Sequence, residues 1–275
     1  MEIENRGAVA IAALERQTGT ALLVRGARGV EPTPAGERLA LHAEVVLAQL
    51  AMAEADVSKA TPRVLRVGAF ATAVRGLVAP ALGQLRASGV ALDVEVFEME
   101  PADGRAAMRA GDVDVVLVNH DVVIAPDADG PWRVVHLLDE PVLVALPDSH
   151  PLASHERVDL RRLEHEEWIM QVPASPCQQL TVRACATAGF APTVIATCAD
   201  YSSIVALVRS GCGVSLVPRL AVRGLTLDGV VLRPARSGLA RRINALDRAG
   251  ERVGSTLFLQ ALREVAADSS PVAAR

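Results

Sequence analysis

Five residues carry groups suited to hold a small polar molecule: Thr72, Asn119, Ser175, Tyr201 and Ser202. Each falls where a strand is expected to end or a helix to begin. In an open α/β sheet that is where backbone N–H groups and short polar side chains converge on a ligand. Each has an ordinary structural use as well, since Thr and Ser cap helices and Asn closes strands. Taken together they point to one cleft. Lys59 is the only lysine, so the cleft is expected to take an uncharged or weakly acidic molecule rather than a dicarboxylate. Arg75 and Arg183 are the residues that could reverse that expectation.

Other constellations give less. Glu164-His165-Glu166-Glu167 lacks the H-E-x-x-H spacing of a zinc site and reads as a solvated charge run between the apolar anchors Leu163 and Trp168. Gly211-x-Gly213 lacks a third glycine and precedes a strand, so the dinucleotide fingerprint fails. There is no Gly-x-Ser-x-Gly elbow and no phosphate loop, and the six histidines suggest no triad. Cys177, Cys185, Cys198 and Cys212 form no C-x-x-C pair, which indicates neither a zinc site nor a disulfide framework. Cys177 and Cys185, eight residues apart around a helix start, would suit a peroxide-sensing pair. Burial as small apolar residues is the stronger expectation. No catalytic residue, metal or cofactor is therefore expected, and the chain does not read as an enzyme.

The elements that must position these residues fit within 275 residues, enough for about two domains. With 51% hydrophobic and 22% charged residues the chain is expected to pack rather than stay disordered. Aromatics are 3% and Tyr201 is the only tyrosine, which argues against platforms for stacking bases. The net charge of −4 makes any DNA contact local. No apolar run approaches the ~20 residues that span a bilayer, and the start MEIENRG is no secretory signal. A cytoplasmic protein without membrane contact is expected.

Residues 7–18 read as a helix stopped by Gly19, followed by a hairpin whose tip is Arg25-Gly26-Ala27-Arg28-Gly29. Thr33 caps and Pro34 opens a long helix to about Ala60, whose apolar stripe calls for a partner. Thr61-Pro62-Arg63 marks a boundary. Strands are then expected at 64–70, 91–98 and 113–118, with helices at 79–87 and 102–110 between them, a parallel βαβαβ unit. Strands at 133–138 and 142–147 follow. A second α/β unit has strands at 167–172, 193–198 and 214–217 and helices at 178–188 and 202–210. A last amphipathic helix covers 255–265. Two similar α/β halves with a cleft between them are implied.

Ile11-x-x-Leu14-Glu15-x-x-x-Gly19, Leu22, Arg25, Arg28, Val30, Thr33, Ala35 and Gly36 follow in order. Further on stand Gly68-Ala69-Phe70, Gly111-Asp112-Val113-Asp114, His150-Pro151-Leu152-Ala153, Ala188-Gly189-Phe190-x-Pro192 and Gly211-Cys212-Gly213-Val214-x-Leu216-x-Pro218. In order and spacing, over nearly the whole chain, these resemble the LysR-type transcriptional regulators. The resemblance implies an α/β fold with a partial winged helix-turn-helix at 1–33 and a linker and dimerisation helix at 34–62. A two-lobed, periplasmic-binding-protein-like effector domain would cover 63–268, with lobe I at about 63–142 and 240–268, lobe II at about 143–239, and a tail at 269–275. It implies promoter DNA, a small-molecule effector, a homodimer or homotetramer and RNA polymerase as partners. Arg25, Arg28 and Thr33 would lie at the DNA, and Thr72, Asn119, Ser175, Tyr201 and Ser202 at the effector. Ten residues precede Ile11, too few for the helix that crosses the DNA backbone in a helix-turn-helix, and Ala8 and Ala10 offer bases no hydrogen bonds. The alternatives are a truncated, DNA-blind sensor acting through oligomers, a solute-binding protein, or an enzyme on the same fold.

Overall fold

The computed structural model describes residues 2–26, 29–57, 64–90, 92–119, 132–248 and 253–269. The chain divides into two compact units, Met1–Arg63 with Glu251–Gln260 and Val64–Gly250 with Ala261–Arg275.

In the first unit, α1 (Glu2–Thr18) is followed by an antiparallel hairpin of β1 (Leu23–Gly26) and β2 (Gly29–Pro32) and by α2 (Pro34–Val57). Gly19 stops α1 in the left-handed conformation that favours glycine, at φ +66°. Glu15 ties α1 to the hairpin by accepting the backbone N–H groups of Leu22 at 2.7 Å and Leu23 at 3.1 Å. Those two bonds hold its carboxyl below the ordinary range. Thr33 caps α2 by accepting the Gly36 N–H at 3.0 Å, and its hydroxyl donates to the Ala21 carbonyl at 2.8 Å. Along α2, Val46, Leu47 and Leu50 are exposed.

The second unit opens as its periodicity predicts. β3 (Leu65–Ala69) pairs in parallel with both β4 (Val94–Glu98) and β5 (Val115–Asn119). The first crossover differs. Its helical segment starts at Ala71, with α3 (Ala71–Ala73), a π-helical turn (Val74–Val78) and α4 (Ala79–Ala87) in succession. Pro80, the second residue of the helix expected at 79–87, has no N–H to give. In the structure it stands just past the wide turn, and the Gly76 carbonyl four residues back receives Arg223 Nη1 at 3.4 Å instead. The second crossover is α5 (Pro101–Ala110), closed by Gly111 at φ +87°.

The strands expected at 133–138 and 142–147 are one strand, β6 (Trp132–Pro147). Pro141 does not break it because it falls where β6 changes partners. After it come β7 (Glu167–Gln171), α6 (Pro176–Thr187), β8 (Thr193–Cys198), α7 (Tyr201–Arg209), β9 (Ser215–Pro218) and α8 (Arg219–Val222). Two strands that the sequence pattern concealed follow, β10 (Val230–Pro234) and β11 (Ala240–Arg248), and then α9 (Val253–Ser269). The strand order is β10-β6-β11-β5-β3-β4, with β9 also on β6. β11 runs antiparallel to β5 and to the first part of β6, while β9 and β10 pair with its second part. β6 is thus common to both halves of the sheet. β7 and β8 form a parallel pair, joined to the stretch before β9 by Ile169 N–H to Val214 O at 2.9 Å and Val214 N–H to Glu167 O at 2.8 Å.

The core matches the composition, with Val, Leu and Ala filling most of it. Trp168 and Phe190 supply its aromatic contact, with ring centroids 6.0 Å apart. Leu163 and Trp168, the expected anchors, are fully buried. In the charge run between them, Glu166 pairs with His150 at 3.2 Å. The Gly-x-Gly segment also finds its reason here. A Cβ on Gly213 would lie 2.4 Å from the Glu167 carbonyl oxygen, a backbone atom of β7. Gly213→Ala is expected to lower stability by about 2–3 kcal/mol by forcing β7 outward. A denaturant midpoint equal to that of the parent would refute that account.

Candidate functional site

β3, β4 and β5 end on the same side because they are parallel, and the N-termini of α6 and α7 face the same space. There the second unit holds a cavity of about 390 Å³. Thr72, Asn119, Ser175 and Tyr201, four of the five residues expected to bind an effector, line it. Thr72 follows β3 in α3, Asn119 ends β5, Ser175 precedes α6 and Tyr201 begins α7. Ser175 also caps α6, accepting the Gln178 N–H at 3.1 Å.

Ser202, the fifth, is not in the lining. Its hydroxyl donates to Asp200, which also accepts the Ser203 hydroxyl at 2.7 Å and the Ser203 N–H at 3.0 Å. Asp200 is the N-cap of α7 and draws the adjacent serines to itself. Arg25 belongs to β1, while Arg28 lies outside the described residues. The Thr33 hydroxyl is engaged within its own chain, as its capping role predicts.

Arg241, which lines the cavity, belongs to a buried ion pair that sequence reasoning missed. Arg241 and Glu140 face each other in the β11–β6 register, 4% and 1% exposed, with Nε 2.6 Å from Oε2. The other Glu140 oxygen accepts the Leu220 N–H at 2.6 Å, so α8 is held too. The remaining guanidinium nitrogens reach Thr72 Oγ1 at 2.7 Å and Cys177 Sγ at 3.2 Å. The guanidinium carbon also sits 5.1 Å from the centre of the Phe70 ring. Burial is the largest influence on Arg241 and opposes its charge, but the Glu140 carboxylate together with Cys177 and Tyr201 outweighs it and keeps the guanidinium firmly protonated. Of these residues only Cys177 and Thr72 stand out in the sequence. The signal for Arg241 would have been an arginine on a strand, and that strand carries no clean alternation.

Three buried polar atoms in the lining lack a hydrogen-bond partner among the described residues: Asn119 Oδ1, Gln171 Nε2 and the Tyr201 hydroxyl. Asn119 and Tyr201 are at least nine-tenths buried, and Gln171 is half-buried. Burial, with the neighbouring Cys177 thiol, pushes the Tyr201 phenol well up and keeps it protonated. Buried polar groups are normally satisfied, so three orphans in one cavity suit a site that a ligand completes.

The cysteines are free. Cys177 lines the cavity, whereas Cys185 is fully buried in the core with its thiol pushed up to about 12 by burial. A thiol so placed is poorly ionised and poorly reactive.

Residues 59–267 match the family model described as the LysR substrate binding domain. The HTH-type transcriptional regulator TtuA of Agrobacterium vitis is 31% identical over 238 residues, 80% of this chain and 76% of that protein. The chain belongs to the LysR family of transcriptional regulators. The fold agrees. A Corynebacterium glutamicum OxyR C206 mutant superposes with a TM-score of 0.66 at 23% identity, covering 95% of this chain and 82% of that one. The BenM effector binding domain with its effector benzoate gives 0.63 at 22% identity, over 74% and 92%. The fold of this LysR-type regulator is therefore the two-lobed, periplasmic-binding-protein-like one.

Removing one member of the buried pair should cost far more than removing both. Glu140→Ala leaves an unpaired buried guanidinium and should lower stability by about 3–5 kcal/mol. The double change Glu140→Leu with Arg241→Met should recover most of that loss, as urea denaturation would show. Equal losses in the two variants would contradict it. A second expectation concerns pH. Hydrogen bonds from Ser202 and Ser203 hold the Asp200 carboxyl down at about 2. Since the folded value lies below the ordinary one, the cap contributes fully above the ordinary carboxylate range and fades as the pH falls toward 2. Asp200→Ala should cost about 0.5–1 kcal/mol near neutrality at this exposed site. The gap from the parent should narrow in acid, as melting at a series of pH values would reveal.

Proposed function

We propose that this LysR-type regulator controls transcription by binding a small-molecule effector in the cleft beneath Thr72, Asn119, Ser175 and Tyr201. The observation that carries this reading is the trio of unpartnered buried atoms on Asn119, Gln171 and Tyr201, set over the Arg241–Glu140 pair. On this reading lobe I spans about 63–142 and 240–268 and lobe II about 143–239. The effector favours one degree of closure, and oligomers convert closure into the spacing of their DNA-reading ends. The exposed Val46, Leu47 and Leu50 of α2 supply an apolar stripe for a homodimer, which can pair further into a tetramer.

Arg25 and Arg28 contact DNA phosphates from the hairpin, and RNA polymerase is the downstream partner. Thr33 acts there by fixing the start of α2. The protein acts in the cytoplasm and catalyses no reaction. Its relatives are named as transcriptional regulators, and no described helix is long and apolar enough to cross a membrane.

The test is fluorescence anisotropy of the full chain on duplex DNA from the region upstream of its own coding sequence, over a series of salt concentrations. Affinity should fall steeply with salt, and Arg25→Ala with Arg28→Ala should flatten the log–log slope by about 0.9 per lost phosphate contact. Thr72→Val and Tyr201→Phe should leave that binding intact. Absence of salt-dependent binding would favour a sensor that acts without DNA.

A further inference from the structure

The charges around the cleft favour one kind of ligand. Glu98, Glu100 and Asp200 line it against Arg75 and Arg241. Arg241 has little to offer a ligand. Its charge is matched by Glu140, and its nitrogens are engaged by Glu140, Thr72 and Cys177. Asp200 is likewise engaged, as the cap of α7. That leaves Glu98 and Glu100, whose side chains have neither an ion pair nor a hydrogen bond among the described residues.

They come from the end of β4 and the residue before α5. Partial burial raises the Glu100 carboxyl; Arg241 opposes that rise, and Asp103 and Glu98 add to it. Two exposed carboxylates without an ion pair among the described residues line a cavity whose buried Asn119 Oδ1 also lacks a donor, alongside the unpartnered donors Gln171 Nε2 and the Tyr201 hydroxyl. A carboxylate ligand would enter against this charge and leave the buried Asn119 Oδ1 unmet. The lack of lysine argues against a dicarboxylate; the two glutamates carry the argument on to a cation.

We infer that the effector bears an ammonium group, held by Glu98 and Glu100 and donating to Asn119, with Arg75 available to any carboxylate on the same molecule. This rests on the reading of the cleft as the effector site.

Calorimetric titration of the full chain would use matched probes: tyramine against 3-(4-hydroxyphenyl)propanoate, and putrescine and L-lysine against succinate. At least one amine is expected to bind more tightly than its acidic counterpart. Glu98→Gln with Glu100→Gln should weaken that amine by about tenfold or more. Asn119→Ala should weaken it too, with circular dichroism confirming that the variants fold. Tighter binding of the acids, lost in Tyr201→Phe, would overturn the ammonium and leave the cleft as the effector site. Amine binding indifferent to all of these variants, or no binding of any probe at millimolar concentration, would overturn both.

Discussion

The Arg241–Glu140 pair is the constraint on which the cleft depends. It lies in the β6–β11 register and reaches three other segments: Phe70 and Thr72 just after β3, Cys177 at the start of α6 and Leu220 in α8. A buried ion pair is a poor source of net stability, because taking both charges out of water offsets most of their attraction. What it gives is geometry. A guanidinium with directional donors and a carboxylate with two acceptors can be satisfied together in few arrangements, and here that arrangement fixes the walls of the cavity. Those walls then hold Asn119 Oδ1, Gln171 Nε2 and the Tyr201 hydroxyl without partners among the described residues.

Much of this was legible in the residue order. The βαβαβ start followed from apolar runs and glycine stops, and the hairpin and long helix from Gly, Pro and a capping Thr. Polar residues at strand ends and helix starts picked out Thr72, Asn119, Ser175 and Tyr201 because parallel strands bring their carboxyl ends together whatever the details. Ser202 shows the limit of that logic. One residue along the chain from Tyr201, it faces the cap instead of the cavity, and only the position of Asp200 decides between the two.

What stayed hidden depends on contacts far apart in the chain. Arg241 and Glu140 are 101 residues apart, and each alone looks like a surface charge. β11 carries Arg241 and Asp247 at buried positions, so it breaks the alternation by which strands are recognised. Pro141 divides β6 on paper because proline removes a ladder donor, yet it stands where the partner strand changes. Cys177 and Cys185 look equivalent in sequence, but one lines the cavity and the other is sealed in the core.

The continuity of β6 bears on how the two halves can move. They are not strung on a loose thread, since β6 is hydrogen-bonded on both sides of Pro141, to β11 before it and to β9 and β10 after it. Opening or closing the cleft therefore means twisting a paired ribbon, a torsion spring rather than a door hinge. Such a spring resists in proportion to the angle, so each occupant of the cleft would set its own resting twist, and the response of the molecule would be graded by the shape of what it holds.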